Sequence, residues 1–227
     1  MLKNKLIILT FDDNAYNHYY NVFELLKTFN MTATFAYITS GKYADLNNED
    51  KIKEMQEYGI EFASHTHSHV DLKKYDFDTI KNDIELSVQK LKSLNVNNPG
   101  LICPYNRISK DNLIKISNNF NINYILHKTS TVHNYTKFAK KKTFGKNNLI
   151  RIEFPTEDQD KANLIKFYDI LTNLDPNEIP IIMFHNVCDF KNKNMNVRVN
   201  TFESFLTFIK FYNFKTITLD QLINLKQ

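Results

Sequence analysis

The sequence predicts an α/β protein built on a parallel sheet closed into a barrel, on three observations. Short apolar runs alternate with amphipathic stretches along the whole chain. Several of those runs are apolar at every position, as strands buried on both faces require. No Pro-, Gly- or Ser-rich linker divides the 227 residues, a length that one α/β barrel accommodates, so residues 1–227 read as a single domain.

Taken in order, residues 6–9 (Leu-Ile-Ile-Leu) form the first strand-like run, and Tyr19, Val22, Phe23, Leu26 and Phe29 follow at helical spacing. Residues 33–37 and 60–63 read as the next strands, and Ile80, Ile84, Val88 and Leu91 as the buried face of a helix. Further strands are expected at 101–103, 122–125 and 149–152. Leu164, Tyr168 and Leu171 mark a helix before the strand at 181–184. Phe202, Phe205, Ile209 and Tyr212 mark another, with Thr201 as its N-cap. The chain closes with a strand at 216–217 and a helix opened by Thr218, three residues before Gln221, the spacing of a capping box. The total is seven or eight strands. Residues 127–148 are polar, basic and weakly periodic, and are expected to be an inserted loop.

Composition excludes several functions. Four glycines, at 41, 59, 100 and 145, leave no glycine-rich loop to cradle a nucleotide phosphate. The net charge of +4 is dispersed, only three residues are arginine, and the one basic block is Lys140, Lys141 and Lys142. Nucleic acid is therefore not an expected partner. Two cysteines, Cys103 and Cys188, are too few for a disulfide framework and read as buried free thiols. No run approaches the ~18 apolar residues of a membrane span, and the first apolar run is too short for a signal peptide. A cytoplasmic location is the expectation.

Chemistry concentrates where strands end. Residues 6–11 lead into Asp12 and Asp13, and residues 60–64 into His65, Thr66, His67, Ser68 and His69. Residues 101–103 lead into Pro104 and Tyr105, and residues 181–184 into His185. In a parallel barrel the carboxyl ends of all strands open onto one face. Each group alone has an ordinary reading as a turn, a cap or a core histidine, but together they share one functional explanation. One carboxylate and two imidazoles form the protein half of a catalytic zinc-type site, which Asp13, His65 and His69 supply. A metal there brings the pKa of a water to roughly 7, which makes hydrolysis the natural outcome. Asp12 fits the general base and His185 the acid for the leaving group.

These residues resemble the ordered motifs of the polysaccharide deacetylases, carbohydrate esterase family 4: Thr10-Phe11-Asp12-Asp13, Ser64 to His69, Pro104-Tyr105, and Ile181 to Val187. Residues 199–202 and 214–222 resemble the closing helix and strand of that family. The resemblance implies a distorted (β/α)7 barrel and metal-dependent removal of an acyl group from a sugar. It assigns Asp12 as base, Asp13, His65 and His69 as ligands of a divalent metal (Zn2+, or Co2+, Ni2+ or Mn2+), and His185 as acid. It also assigns the Tyr105 amide as oxyanion donor.

The expected substrate is an acylated sugar precursor of surface-glycan synthesis, nucleotide- or lipid-linked, with residues 140–142 holding a diphosphate handle. Two departures stand out. The arginine common before Pro-Tyr is absent, leaving Arg107 beyond the turn as the candidate substitute, and the chain has no tryptophan to complete the Asp/Trp motif. Asn14 and Asn106 replace common glycines. A non-catalytic binding module, or an amidohydrolase acting on a formyl or related amide, is the alternative. His67 is expected in a loop or behind the ligands, and His18, His127 and His133 at the surface or in loops. Tyr16, Tyr19 and Tyr43 are candidate sugar-stacking walls.

Overall fold

The computed structural model describes residues 5–14, 17–41, 48–134, 149–156, 161–175, 177–189 and 195–225. β1 (Lys5–Phe11) leads into the catalytic candidates of the first motif, Asp12 and Asp13, and pairs in three directions. Its upper half lies between β2 (Thr34–Tyr37) and β8 (Ile181–Phe184). From β2 the sheet continues through β3 (Glu61–Ser64) and β4 (Leu101–Ile102) to β5 (Ile125–Leu126), and from β8 through β7 (Ile150–Glu153) to β6 (Lys128–Ser130). All of these pairs are parallel. Only His127 separates β5 from β6, so one extended segment pairs with β4 through its first part and with β7 through its second. That segment closes a ring of seven strand positions.

The distortion comes from β11 (Phe214–Thr216), which pairs with β1 from Lys5 to Ile7, below the point where β2 joins. Thr216 Oγ1 accepts the amide of Thr32 at 2.9 Å, fastening the wedge to the approach of β2. A short parallel ribbon of β9 (Asn186–Val187) and β10 (Asn196–Val197) extends beyond β8.

Helices α1 (Glu24–Phe29), α2 (Glu49–Tyr58), α3 (Phe77–Ser93), α4 (Lys110–Asn119), α5 (Lys161–Thr172), α6 (Val199–Phe211) and α7 (Leu219–Asn224) complete the chain. None of the described helices is long and apolar enough to cross a membrane. The expected apolar faces of α3, α5 and α6 are buried at Ile80, Ile84, Leu91, Leu171, Phe202, Phe205 and Ile209. Thr218 and Gln221 form the capping box of α7.

The strand alternation sorts side chains between two cores. Ile7, Leu9 and Phe11 join Phe35, Phe184, Phe202 and Phe205 in the cluster beneath the helices, whereas Ile8, Ala36, Ala63, Ile102, Leu126 and Ile181 share a second cluster inside the barrel. By the same period of two, Asp12 and His185 continue the interior rows of β1 and β8. On β7, Ile152 and Phe154 take the outer cluster, which turns Arg151 and Glu153 inward.

Four details depart from the sequence expectations. α6 starts at Val199 with Arg198 as N-cap residue, and the Val199 amide donates to Asp189 Oδ1 at 3.1 Å, so Thr201 lies within the helix. The segment expected as an inserted loop from residue 127 begins with barrel strand β6, whose Lys128 and Thr129 are exposed and so lack apolar alternation. The run at 122–125 enters the sheet only at Ile125. α2 and α4 bury two residues each, Ile52 and Met55 in one, Asn112 and Ile116 in the other, which is too little apolar surface to register as a periodic stripe.

Candidate active site

The carboxyl ends of β1 and β3 bring Asp13, His65 and His69 together. Asp13 Oδ1 lies 3.1 Å from Nε2 of His65 and 3.1 Å from Nε2 of His69. All three ligand atoms fall within 4.8 Å of one another. His65 Nδ1 faces the carbonyl oxygen of Ile102 at 2.6 Å, a contact that only an Nδ1–H can satisfy, so Nε2 presents a lone pair to the Asp13 carboxylate. Acceptors facing one another across a small gap are the donor set of a divalent cation, and the backbone carbonyl behind His65 is the orienting partner usual for a metal-bound imidazole. The residues fit the group. Burial raises the Asp13 carboxyl, and when protons occupy the cluster in place of a cation, hydrogen bonds from the protonated rings of His65 and His69 outweigh it and hold the carboxyl far below the usual range.

Asp12 is buried behind this cluster. Its partner is Arg151, fully buried on β7, whose Nη1 donates to Asp12 Oδ1 at 2.7 Å and to Thr10 Oγ1 at 3.3 Å. Nη2 of the same guanidinium donates to Asn106 Oδ1. Burial pushes the Asp12 carboxyl up, Arg151 and the neighbouring histidines pull it down, and the net result is below the ordinary value. Arg107, the expected substitute for the absent arginine, is elsewhere: its Nε and Nη2 donate to Asp71. Arg151 is not among the expected site residues; in the sequence it is a lone cation inside the apolar run Leu149-Ile150-Arg151-Ile152, with nothing to say which face of the strand it takes.

His185 Nε2 lies 3.9 Å from Asp13 Oδ2, at the same mouth. Glu153, also unpredicted, acts electrostatically with His185; burial pushes its carboxyl up while His185 and Arg151 oppose the shift. His18, expected at the surface or in a loop, is fully buried. It opens a π-helical turn, His18–Phe23, and its Nε2 donates to the backbone carbonyl of His185 at 2.6 Å. Its ring packs edge-on against Phe11 and Phe35.

The Pro104–Asn106 turn follows β4. The amides of Asn106 and Arg107 donate back to Cys103 and Pro104, whereas the Tyr105 amide meets no acceptor among the described residues. That leaves it available to a ligand oxygen. Positive φ angles gather around this mouth, at Asp13 (75°), Thr66 (64°), His69 (61°), Tyr105 (56°) and Asn106 (52°). Such conformations cost non-glycine residues on the order of 1 kcal/mol each and persist where surrounding contacts over-determine them. Asn14, also left-handed, supplies those contacts for its own turn: its side chain donates to the Ile38 carbonyl and accepts the Ile38 amide.

His67 Nδ1 pairs with Thr39 Oγ1 at 3.0 Å, beside the ligands rather than among them. His133 is exposed, and His127 lies half-buried at the junction of β5 and β6. Cys103 and Cys188 are buried and free, and burial pushes the Cys103 thiol up. Tyr19 is half-buried with its hydroxyl on Glu54. Tyr16, Tyr43 and Lys140 to Lys142 lie outside the described residues.

The family model for polysaccharide deacetylases matches residues 2–125, more than half of the chain. The chain belongs to the polysaccharide deacetylase family. Over 89 residues this deacetylase-family chain is 32% identical to a bifunctional xylanase/deacetylase of Pseudobutyrivibrio xylanivorans, a match covering 39% of the chain and 14% of that much longer relative. Among solved structures, a family 4 acetyl xylan esterase from Clostridium thermocellum in complex with cobalt superposes with a TM-score of 0.64 at 18% identity, over 98% of this chain and 92% of that one. A family 4 pseudoenzyme from Bacillus anthracis superposes with a TM-score of 0.63 at 17% identity, over 98% of this chain and 66% of its own. The polysaccharide deacetylase fold, a distorted (β/α)7 barrel, is common to all three chains.

Proposed function

We propose that this chain is a metal-dependent hydrolase that removes an acetyl group from a sugar. The observation that carries the reading is the convergence on one mouth of a three-ligand cluster, a carboxylate held by a buried arginine, and a second histidine. Asp13, His65 and His69 would hold the cation. A divalent ion in such a site acidifies water and polarises an acyl carbonyl.

The chain's own residues supply the rest. Asp12, kept ionised by Arg151, receives the proton of the attacking water. Arg151 fixes which oxygen is presented, since Oδ1 is occupied by its Nη1. The Tyr105 amide donates to the oxygen that becomes negative in the tetrahedral species, a contact whose removal costs about 2.7–4 kcal/mol in other hydrolases. His185, its backbone pinned by His18, delivers a proton to the departing nitrogen and so prevents re-formation of the amide.

The substrate is an acylated saccharide, as a polymer or as a nucleotide- or lipid-linked precursor of a surface glycan. The test is acetate release from N-acetylated oligosaccharides by protein loaded with zinc, cobalt, nickel or manganese, and by protein stripped with a chelator. Release that depends on metal and disappears in Asp12→Asn supports the reading. Metal binding with no release from any acylated sugar favours a binding module, and release of formate in place of acetate favours a related amidohydrolase.

A further inference from the structure

Arg107 has a geometry that a simple surface staple does not need. Its Nε and Nη2 occupy one edge of the fork against the buried carboxylate of Asp71, with Nε at 3.1 and 3.2 Å from the two oxygens. Asp71 is held in turn by the Lys73 amide at 3.0 Å, with Lys74 Nζ at 4.0 Å. The side chain of Arg107 is nevertheless 44% exposed, and its Nη1 has no partner among the described residues. The outer edge of the guanidinium, Nη1 with the remaining Nη2 hydrogen, thus faces solvent in a fixed orientation.

Its setting is the rim of the candidate active site. Cζ of Arg107 lies 5.4 Å from the centre of the Tyr105 ring, and that ring lies 4.7 Å from the ring of His69. Tyr105 is 57% exposed, an aromatic platform between a metal-ligand candidate and an anchored cation. With Asp71 balancing one positive charge and Lys74 adding another, the rim keeps a net positive character. A planar fork with one free edge matches the two oxygens of a carboxylate or phosphate, and an exposed ring beside it suits a sugar face.

We propose that Arg107 and Tyr105 form a subsite for an acidic saccharide, binding a carboxylate or phosphate ester on the unit next to the one that is deacylated. The inference rests on the deacetylase reading and names the substrate class: acylated glycans that carry negative charge. Asp71 is the positioning residue, since it fixes which edge of the guanidinium is presented.

The test compares a neutral N-acetylated oligosaccharide with two acidic counterparts of equal length, one bearing a uronate and one a phosphate ester. The native protein is expected to favour one acidic substrate. Arg107→Gln is expected to lower the acidic-to-neutral ratio of kcat/KM by about tenfold or more, as loss of a charge-assisted contact implies. Arg107→Lys, which keeps the charge and its pairing with Asp71 but loses the fork, should lower it by less. The acidic substrate that loses most identifies the oxyanion.

An unchanged ratio in folded Arg107→Gln overturns the subsite, and if that variant does not fold, an unchanged ratio in Arg107→Lys does so. If native protein releases acetate from none of the three, the deacetylase reading falls instead. Calorimetric titration with the same oligosaccharides then decides the subsite on its own: weaker binding of the acidic one to the variant supports it, and equal binding removes it.

Discussion

Across 167 residues of sequence, Nε2 of His18 meets the backbone carbonyl oxygen of His185 at 2.6 Å. The contact fixes the neutral tautomer of His18 with its proton on Nε2. Burial lowers the pKa of the ring to about 4, even though the carbonyl and nearby carboxylates pull the other way.

The sign follows from linkage. Unfolded, this histidine takes up a proton near pH 6.5, whereas the native state refuses it until about pH 4. Stability from this group is therefore complete above the unfolded pKa and declines as pH falls from 6.5 towards 4. The native protein should lose about 2 kcal/mol through it between pH 7 and pH 5. His18→Gln keeps an amide donor and does not titrate. Urea unfolding at the two pH values should show a smaller drop for the variant, and equal drops would refute the assignment.

Arg151 is the second point of attack. Arg151→Met strands the Asp12 carboxylate in the interior, an uncompensated charge that costs about 3–5 kcal/mol. Turnover should fall roughly 10²- to 10⁴-fold with loss of an effective base. The double variant Asp12→Asn/Arg151→Met should regain most of the stability and none of the activity. If Arg151→Met retains native kcat, the base assignment fails.

Asn106 links the same arginine to the turn that carries the Tyr105 amide. Asn106→Gly relaxes a φ of 52° but removes the acceptor for Arg151 Nη2. The expected result is a kcat lowered about tenfold with little change in KM, because the donor loses alignment for the transition state rather than for the bound substrate. A change confined to KM would contradict it.

Metal binding separates the carboxylates. Zinc at about 100 times its dissociation constant should stabilise native protein by about 2.7 kcal/mol. Asp12→Asn should keep that gain, while Asp13→Ala and His65→Ala should lose it. Thermal melts with and without zinc read the difference, and a zinc shift that survives Asp13→Ala would displace Asp13 from the ligand set.

A structural prediction concerns Gly100. A Cβ built there lies 1.9 Å from Cζ of Tyr124, the residue whose hydroxyl donates to Glu61 at 2.6 Å. Gly100→Ala must push the ring aside, at a cost of about 1–3 kcal/mol. An unchanged melting temperature would show that the ring has room to move.

What could be read from the sequence followed physical strength. The apolar runs on both sides of the barrel wall gave the strands, and the four strand ends gave Asp12, Asp13, His65, Tyr105 and His185, all of which gather at one mouth. Arg151 and Glu153 stayed hidden because their meaning depends on which way β7 faces, and that is set by Ile152 and Phe154 packing beneath the helices. His18 stayed hidden because a lone imidazole in a tyrosine-rich stretch gives no sign of a carbonyl brought to it from the other end of the chain. α2 and α4 offered too few apolar positions to reveal themselves.

A closed ring of strands gives each inward residue neighbours across the lumen as well as along the wall, so a cation missing from one stave can be restored from another. In this chain the guanidinium that steadies the first stave's carboxylate arrives on the seventh-numbered strand. A survey of relatives keyed to residue order would discard such chains as defective, whereas one keyed to which cation reaches that carboxylate would retain them for assay.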